Sequence, residues 1–136
     1  QFNAVLSILV LIIGFGTLIA GIVGISNIMI FIVKERTKEI GIRKALGAPP
    51  SSIVLLINVE SVLITSIAGY IGLLMGSFVL DSMKDTLKEY WITDPGVSTT
   101  LVVGAGILLV IAGLIAAYVP AKRASRIKPI VALRDE

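Results

Sequence analysis

Three long apolar runs, separated by two short polar stretches, set the pattern of this chain. Residues 1–33 carry no charge at all. The part from 4 to 33 makes about 45 Å of helix, whereas a hydrocarbon core of ~30 Å is crossed by about 20 residues. The excess predicts tilt, or a helix that projects past the bilayer. A second run, 53–80, follows Pro49, Pro50, Ser51 and Ser52, a break and then N-cap chemistry. A third, 99–119, is uncharged, with Pro120 marking its end. Asp94-Pro95-Gly96 predicts a turn before it, and Ser98 or Thr99 a cap. The fold read from this pattern is an all-α membrane protein with spans at about 4–33, 53–80 and 99–119.

One acid, Glu60, interrupts the second run. Thirteen aliphatic residues between 53 and 74 favour insertion by roughly −4 to −8 kcal/mol. A mid-helix acid costs about 2.5–3.5 kcal/mol, so the span survives it. A structural role near the inner interface is expected for Glu60, paired with a cation of the connector or tail, or turned to water. A proton relay would need a second acid or a histidine nearby.

Lys and Arg fix the expected orientation, because short basic loops stay inside. The connector after the first run holds Lys34, Arg36, Lys38, Arg43 and Lys44. The tail holds Lys122, Arg123, Arg126, Lys128 and Arg134. Residues 81–98 hold Lys84 and Lys88 against Asp81, Asp85, Glu89 and Asp94. The connector 34–52 and the C-terminus are therefore placed in the cytoplasm, and the middle loop and N-terminus outside. A chain that starts outside, with Gln at position 1 and no signal-peptide pattern, is expected to be a piece of a longer protein.

In the outer loop Leu80, Met83, Leu87, Tyr90 and Trp91 recur at helical spacing, opposite Lys84, Asp85, Lys88 and Glu89. A short amphipathic helix lying in the outer interface is predicted, with Ser82 and Asp85 as a capping box. Tyr90 and Trp91 suit an aromatic belt, and anchoring is its expected role. Small residues form ladders at four-residue spacing: Gly16, Ala20 and Gly24; Ala68, Gly72 and Gly76; Ala112 with Ala116, and Gly113 with Ala117. Such stripes let helix backbones approach closely, within the chain or across a dimer.

Composition agrees with the pattern. The chain of 136 residues is 56% apolar and 15% charged, and its mean hydropathy is +0.99. Soluble domains are about 45–50% apolar and about 25% charged. There is no cysteine and no histidine. Disulfides, thiolate chemistry, most zinc sites and the usual general base are excluded. No Walker phosphate loop is present, and no nucleophile–base–orienter set is suggested. Nothing catalytic and no metal site is expected, and nucleic acid is an improbable partner because both basic segments lie against a membrane.

The connector remains the densest signal. Glu39 and Arg43 make a favourable i,i+4 pair. Ile42, Ala45 and Leu46 make an apolar stripe. Gly47 can end a helix there, and Pro49 prevents its continuation. Gly41, costing about 1 kcal/mol inside that helix, predicts a bend or a close backbone contact. Topology alone would account for Lys34 to Lys38, but a plain solvated loop needs no such stripe.

Three blocks resemble the FtsX-like permeases of ABC systems, particularly the MacB-type branch. They are Glu35-Arg36-Thr37-Lys38-Glu39-Ile40-Gly41-Ile42-Arg43-Lys44-Ala45-Leu46-Gly47-Ala48, then Ile57-Asn58-Val59-Glu60-Ser61-Val62-Leu63, then residues 120–134, which begin Pro120-Ala121-Lys122-Arg123. The resemblance covers nearly the whole chain. It implies that residues 1–136 are the last three of four spans, with a large extracytoplasmic domain ahead of them, in a bacterial cytoplasmic membrane. It also implies a coupling helix within 34–48, involving Glu35, Arg36, Lys38 to Leu46 and Gly47, docked on a cytoplasmic ABC ATPase that binds ATP and magnesium. No cofactor is expected in this chain. The implied function is to turn ATP hydrolysis into movement that exports or releases a substrate outside. A second permease protomer, an extracytoplasmic adaptor or substrate protein, and membrane lipid are further expected partners. The basic tail would touch anionic head groups or the ATPase. A passive anchor for an outer domain, or a fragment of a secondary transporter, are the competing functions.

Overall fold

A computed structural model describes residues 2–89 and 98–134. Among them the chain forms six helices and no strand: α1 (Phe2–Glu35), α2 (Thr37–Ala45), α3 (Pro50–Ser82), α4 (Lys84–Glu89), α5 (Thr99–Ser125) and α6 (Pro129–Arg134). Helices α1, α3 and α5 are long and apolar enough to cross a membrane. The 34 residues of α1 make about 51 Å of helix, well beyond a hydrocarbon core of ~30 Å.

The helix ends depart from expectation in three places. At the start of α3, Pro49 is the N-cap and makes no side-chain cap, with Pro50 just inside the helix. Proline suits that position because its missing N–H is one no helix can satisfy there. Ser52 instead donates from Oγ to the Pro49 carbonyl at 2.8 Å, so the expected serine cap is not made. At the other end of α3, Ser82 lies inside the last turn and its Oγ donates to the Phe78 carbonyl at 2.8 Å. The Ser82–Asp85 capping box is therefore not formed; α4 begins only after Met83. An Asp81–Lys84 ion pair at 2.7 Å spans the junction. The side chains of residues 87–89, with Tyr90, Trp91 and the turn at 94–96, lie outside the described residues.

The third departure is Pro120, which does not end α5: the helix continues to Ser125. An interior proline costs about 3 kcal/mol in an isolated helix. Here Pro120 is fully buried, and Ala116, Ala117, Ala121 and Ala124 on the same side are buried with it. Packing of that small-residue face outweighs the lost hydrogen bond. At its other end, α5 starts as expected: Ser98 Oγ accepts from the Leu101 N–H at 3.2 Å.

Helix α5 occupies the middle. It packs along both α1 and α3, which touch each other little. The α3–α5 contact is close because the residues there are small. Ser61 Oγ donates to the Gly113 carbonyl at 3.0 Å, and Thr65 Oγ1 to the Ser61 carbonyl at 2.8 Å. A Cβ at Gly113 would lie 3.2 Å from Val62 Cα, a tight contact that the glycine avoids.

The apolar core lies at the end of the bundle that carries most of the charge. Met29 and Val33 of α1, Ile40 of α2, Ile53 and Ile57 of α3, and Ala121 and Ala124 of α5 form one cluster. Toward the opposite end α1 diverges. A groove of about 820 Å³, lined by Gly14, Gly21 and Ile25 of α1, Thr65 and Gly69 of α3 and Leu109 of α5 among others, separates it from its neighbours.

Candidate functional site at the charged end of the bundle

Helix α2 is attached to α1 with almost no interruption. The Arg36 N–H donates to the Ile32 carbonyl at 2.9 Å, and the Ile40 N–H to the Arg36 carbonyl at 3.0 Å. Thr37 Oγ1 bonds the carbonyls of Val33 and Lys34 at 3.1 and 2.8 Å. The hydrogen-bond ladder therefore crosses the break at Arg36. The expected single helix over the connector is in fact the last turn of α1 followed by α2.

The other end of α2 closes at Gly47, which has φ of 96°. The Gly47 N–H reaches the Lys44 carbonyl and the Ala48 N–H the Arg43 carbonyl, both at 3.0 Å. This pair of bonds, with a left-handed residue between, is a Schellman motif. Glycine adopts that conformation without a steric penalty. Pro49 and Pro50 then turn the chain into α3.

The faces of α2 divide in an informative way. Ile40 and Gly41 are buried, and α2 packs against α6. Gly41, where a bend or a close backbone contact was expected, is buried on the side of α2 turned to the bundle. The apolar stripe of Ile42, Ala45 and Leu46 points outward, with Leu46 84% exposed. Arg43 and Glu39 pair at 3.1 Å on this open side. Lys34, Glu35 and Lys38 are exposed as well. A hollow of about 500 Å³ borders Leu46, lined by Arg43, Gly47, Ala48, Ser52, Ile53 and Leu56.

Glu60 finds its partner in the connector. Its carboxylate lies 3.3 Å from Arg36 Nη1, at the junction between α1 and α2. Lys44 turns away from the open side, and its Nζ donates to the carbonyls of Ser125 and Ile127, the latter at 2.8 Å. Every helix that crosses the membrane is thus tied to the α1–α2 segment at this end.

The small-residue ladders separate into two kinds. Ala112, Gly113, Ala116 and Ala117 are buried inside the chain. Gly16, Ala20 and Gly24 of α1, and Ala68, Gly72 and Gly76 of α3, are exposed. A Cβ on any of those four glycines would meet nothing within 4 Å. Ala68 and Gly72 line the large groove; Gly16, Ala20 and Gly24 do not.

A charged, helical connector with an open apolar edge joins the first two of three spans. The FtsX-like permease C-terminal family matches residues 5–129. The chain belongs to that family. The permease is 38% identical over 120 residues to the macrolide export ATP-binding/permease protein MacB of Nitrosomonas europaea, covering 88% of this chain and 18% of that protein. It is 35% identical over 122 residues to an uncharacterised ABC transporter permease of Methanocaldococcus jannaschii, covering 88% of this chain and 31% of the other. An uncharacterised ABC transporter permease of Bacillus subtilis is 40% identical over 113 residues, covering 83% and 27%. The chain thus spans less than a third of the length of these curated relatives. It is a multi-pass membrane segment of the ABC transporter permease type.

Three contacts of the permease were not legible in its sequence: the Lys44 bonds to distant carbonyls, the Ser61–Gly113 bond, and the packing of α6 on α2. Lys44 near the end of α2 reads as a partner for that helix's own carbonyls. Only the fold brings a residue 81 positions away under it. The four-residue spacing of the ladders carried no sign of which would be buried within the chain, as at Ala112, Gly113, Ala116 and Ala117, and which would be left exposed.

Proposed function

We propose that residues 1–136 form the C-terminal transmembrane domain of an ABC permease, and that α2 is its coupling helix. A cytoplasmic ATPase grips the open edge formed by Ile42, Arg43 and Leu46. The buried face, with Ile40 and Gly41, fixes α2 to the bundle, so that movement of the ATPase is passed to the membrane helices. The observation carrying this reading is the division of α2 into one anchored face and one exposed apolar face beside a cation. A soluble loop that only set topology would gain nothing from leaving Leu46 uncovered. In this reading the charged end is cytoplasmic, the far end of α1 is outside, and ATP and magnesium belong to the ATPase. The output is export or release of a substrate on the outer side of a bacterial cytoplasmic membrane. MacB relatives carry ATP-binding and permease functions in one protein, as their names state; the ATPase here is fused or separate.

Glu60 serves structure in this proposal, holding the α1–α2 junction against α3 through Arg36. The exposed ladders at Gly16, Ala20 and Gly24 and at Gly72 and Gly76 suit a second permease protomer, and the basic residues of α6 and the end of α5 suit lipid head groups.

The test is Arg43→Glu combined with Leu46→Asp in the full-length permease. Both side chains are exposed, so folding and membrane yield stay at the wild-type level. Co-purification of the ATPase and ATP-driven activity are expected to fall at least about tenfold, the scale of losing one interface hot spot. Unchanged binding and activity would remove the proposal. A scramble of residues 39–48 that kept charge and left activity intact would instead favour a passive anchor.

A further inference from the structure

The carbonyls at the C-terminus of α5 are accounted for one by one. A helix leaves its last four carbonyls without intrahelical donors. Ser125 Oγ takes the Lys122 carbonyl at 2.8 Å. The Arg126 N–H takes Arg123 at 3.2 Å and the Ile127 N–H takes Ala124 at 3.3 Å. The fourth, Ser125, is taken by Lys44 Nζ, which also holds the Ile127 carbonyl just beyond the helix. The donor that completes the end of α5 therefore comes from α2, more than 80 residues away in sequence.

Chemistry favours this arrangement. An ammonium carries three donors and no acceptor, and a cation is favourable at a helix C-terminus, where the peptide dipoles leave partial negative charge. The neighbouring Arg43 points to the open side and pairs with Glu39, so the two adjacent cations have divided tasks. The site is half-buried, and the adjoining Ala124 is fully buried.

We infer that Lys44 is a positioning residue that latches α2 to the end of α5, so that a displacement of α2 is delivered to the central helix as well as to α1. This inference rests on the proposal that an ATPase moves α2. Without the latch, α2 would pull on α1 through the continuous backbone at Arg36, and α5 would follow only through packing, directly and by way of α6. Those contacts slide more easily than a hydrogen-bonded cation.

The experiment uses the full-length permease with its ABC ATPase in proteoliposomes. Spin labels at Val5 of α1 and Leu101 of α5, both exposed and far from the charged end, report the distance change on adding ATP. Lys44→Met is expected to keep ATPase binding and ATP hydrolysis while losing most of that distance change and the ATP-driven activity. Lys44→Arg, which still donates to two carbonyls, restores both. A full distance change in Lys44→Met overturns the latch. Release of the ATPase by Lys44→Met also overturns it, because Lys44 would then belong to the docking surface. If Lys44→Met and Lys44→Gln both fail to fold and Lys44→Arg does not rescue coupling, the residue is a stability element only, and the inference fails. Should the wild-type permease bind no ATPase, the coupling proposal falls by itself. The latch is then read by hydrogen exchange, where Lys44→Met should speed the amides of residues 123–128 by about tenfold, the loss of one charge-assisted bond. Wild-type exchange there would refute it.

Discussion

The two ends of this bundle are built on different principles. At the charged end every helix crossing the membrane is fixed by a polar contact as well as by packing. Arg36 meets Glu60 of α3, Lys44 meets the end of α5, and Met29, Val33, Ile40 and Ile57 fill the space between. At the opposite end α1 stands apart behind a groove of about 820 Å³, and its first sixteen residues are exposed. Apolar side chains gain no hydrophobic drive from association in lipid, so helices there hold together only through packing and hydrogen bonds. Where neither is supplied, a helix is free to move. The contrast gives one end fixed polar contacts and leaves α1 with few neighbours from this chain at the other; in the proposed coupling, force would enter at the fixed end.

Substitutions can break that contrast by degrees. The largest effect is expected where α3 and α5 touch. Gly113→Leu would drive a side chain into Val62 Cα and Thr65, costing about 3 kcal/mol; thermal unfolding in detergent should show a clear drop. Gly72→Leu, which meets nothing within 4 Å, should leave the same melting curve within about 0.5 kcal/mol. Equal loss from both would erase the distinction between inward and outward ladders. If the outward face is a protomer contact, Gly72→Leu should instead weaken cross-linking between two chains.

A middle-sized effect is expected at the turn ending α2. Gly47→Val places a β-branched residue at φ of 96° and should cost about 2 kcal/mol. Hydrogen exchange should localise the loosening to α2 and leave the opposite end unchanged. A smaller effect belongs to Glu60→Gln. The pair with Arg36 is partly solvated, with side chains 30% and 51% exposed, so the cost should be about 0.5 kcal/mol. Limited proteolysis or exchange near the α1–α2 junction is the measurement. Smallest is Glu39→Gln: its pair with Arg43 is open to water on both sides, and about 0.3 kcal/mol is expected. A large loss of stability from that change would mean the open edge of α2 is tied into the bundle after all.

Much of this arrangement was readable in the order of residues. Three apolar runs each long enough to cross a bilayer made the three spans readable, and Gly47 before Pro49 marked where α2 must stop. The failures have two causes. Pro120 read as a stop because proline costs an isolated helix a hydrogen bond, but Ala116, Ala117, Ala121 and Ala124 bury that stretch of α5 and hold it straight through. Ser82 read as a cap because it precedes an acid by three, but α3 had not yet ended. Local rules assume a local competition; at Pro120 tertiary packing decided it, whereas at Ser82 α3 ran on past the serine. At the candidate site the stripe of Ile42, Ala45 and Leu46 was visible in sequence, but not that it would face outward and leave Ile40 and Gly41 to face the bundle.

The length of α1 has one further consequence. With Met29 held in the core, Arg36 lies about 10 Å from that point and Phe2 about 40 Å from it along a straight helix. In the proposed coupling Met29 would act as a fulcrum and α1 as a lever with arms in a ratio of about one to four. A tilt of about 5°, shifting Arg36 by less than about 1 Å, swings the distant tip through about 3.5 Å on those lengths.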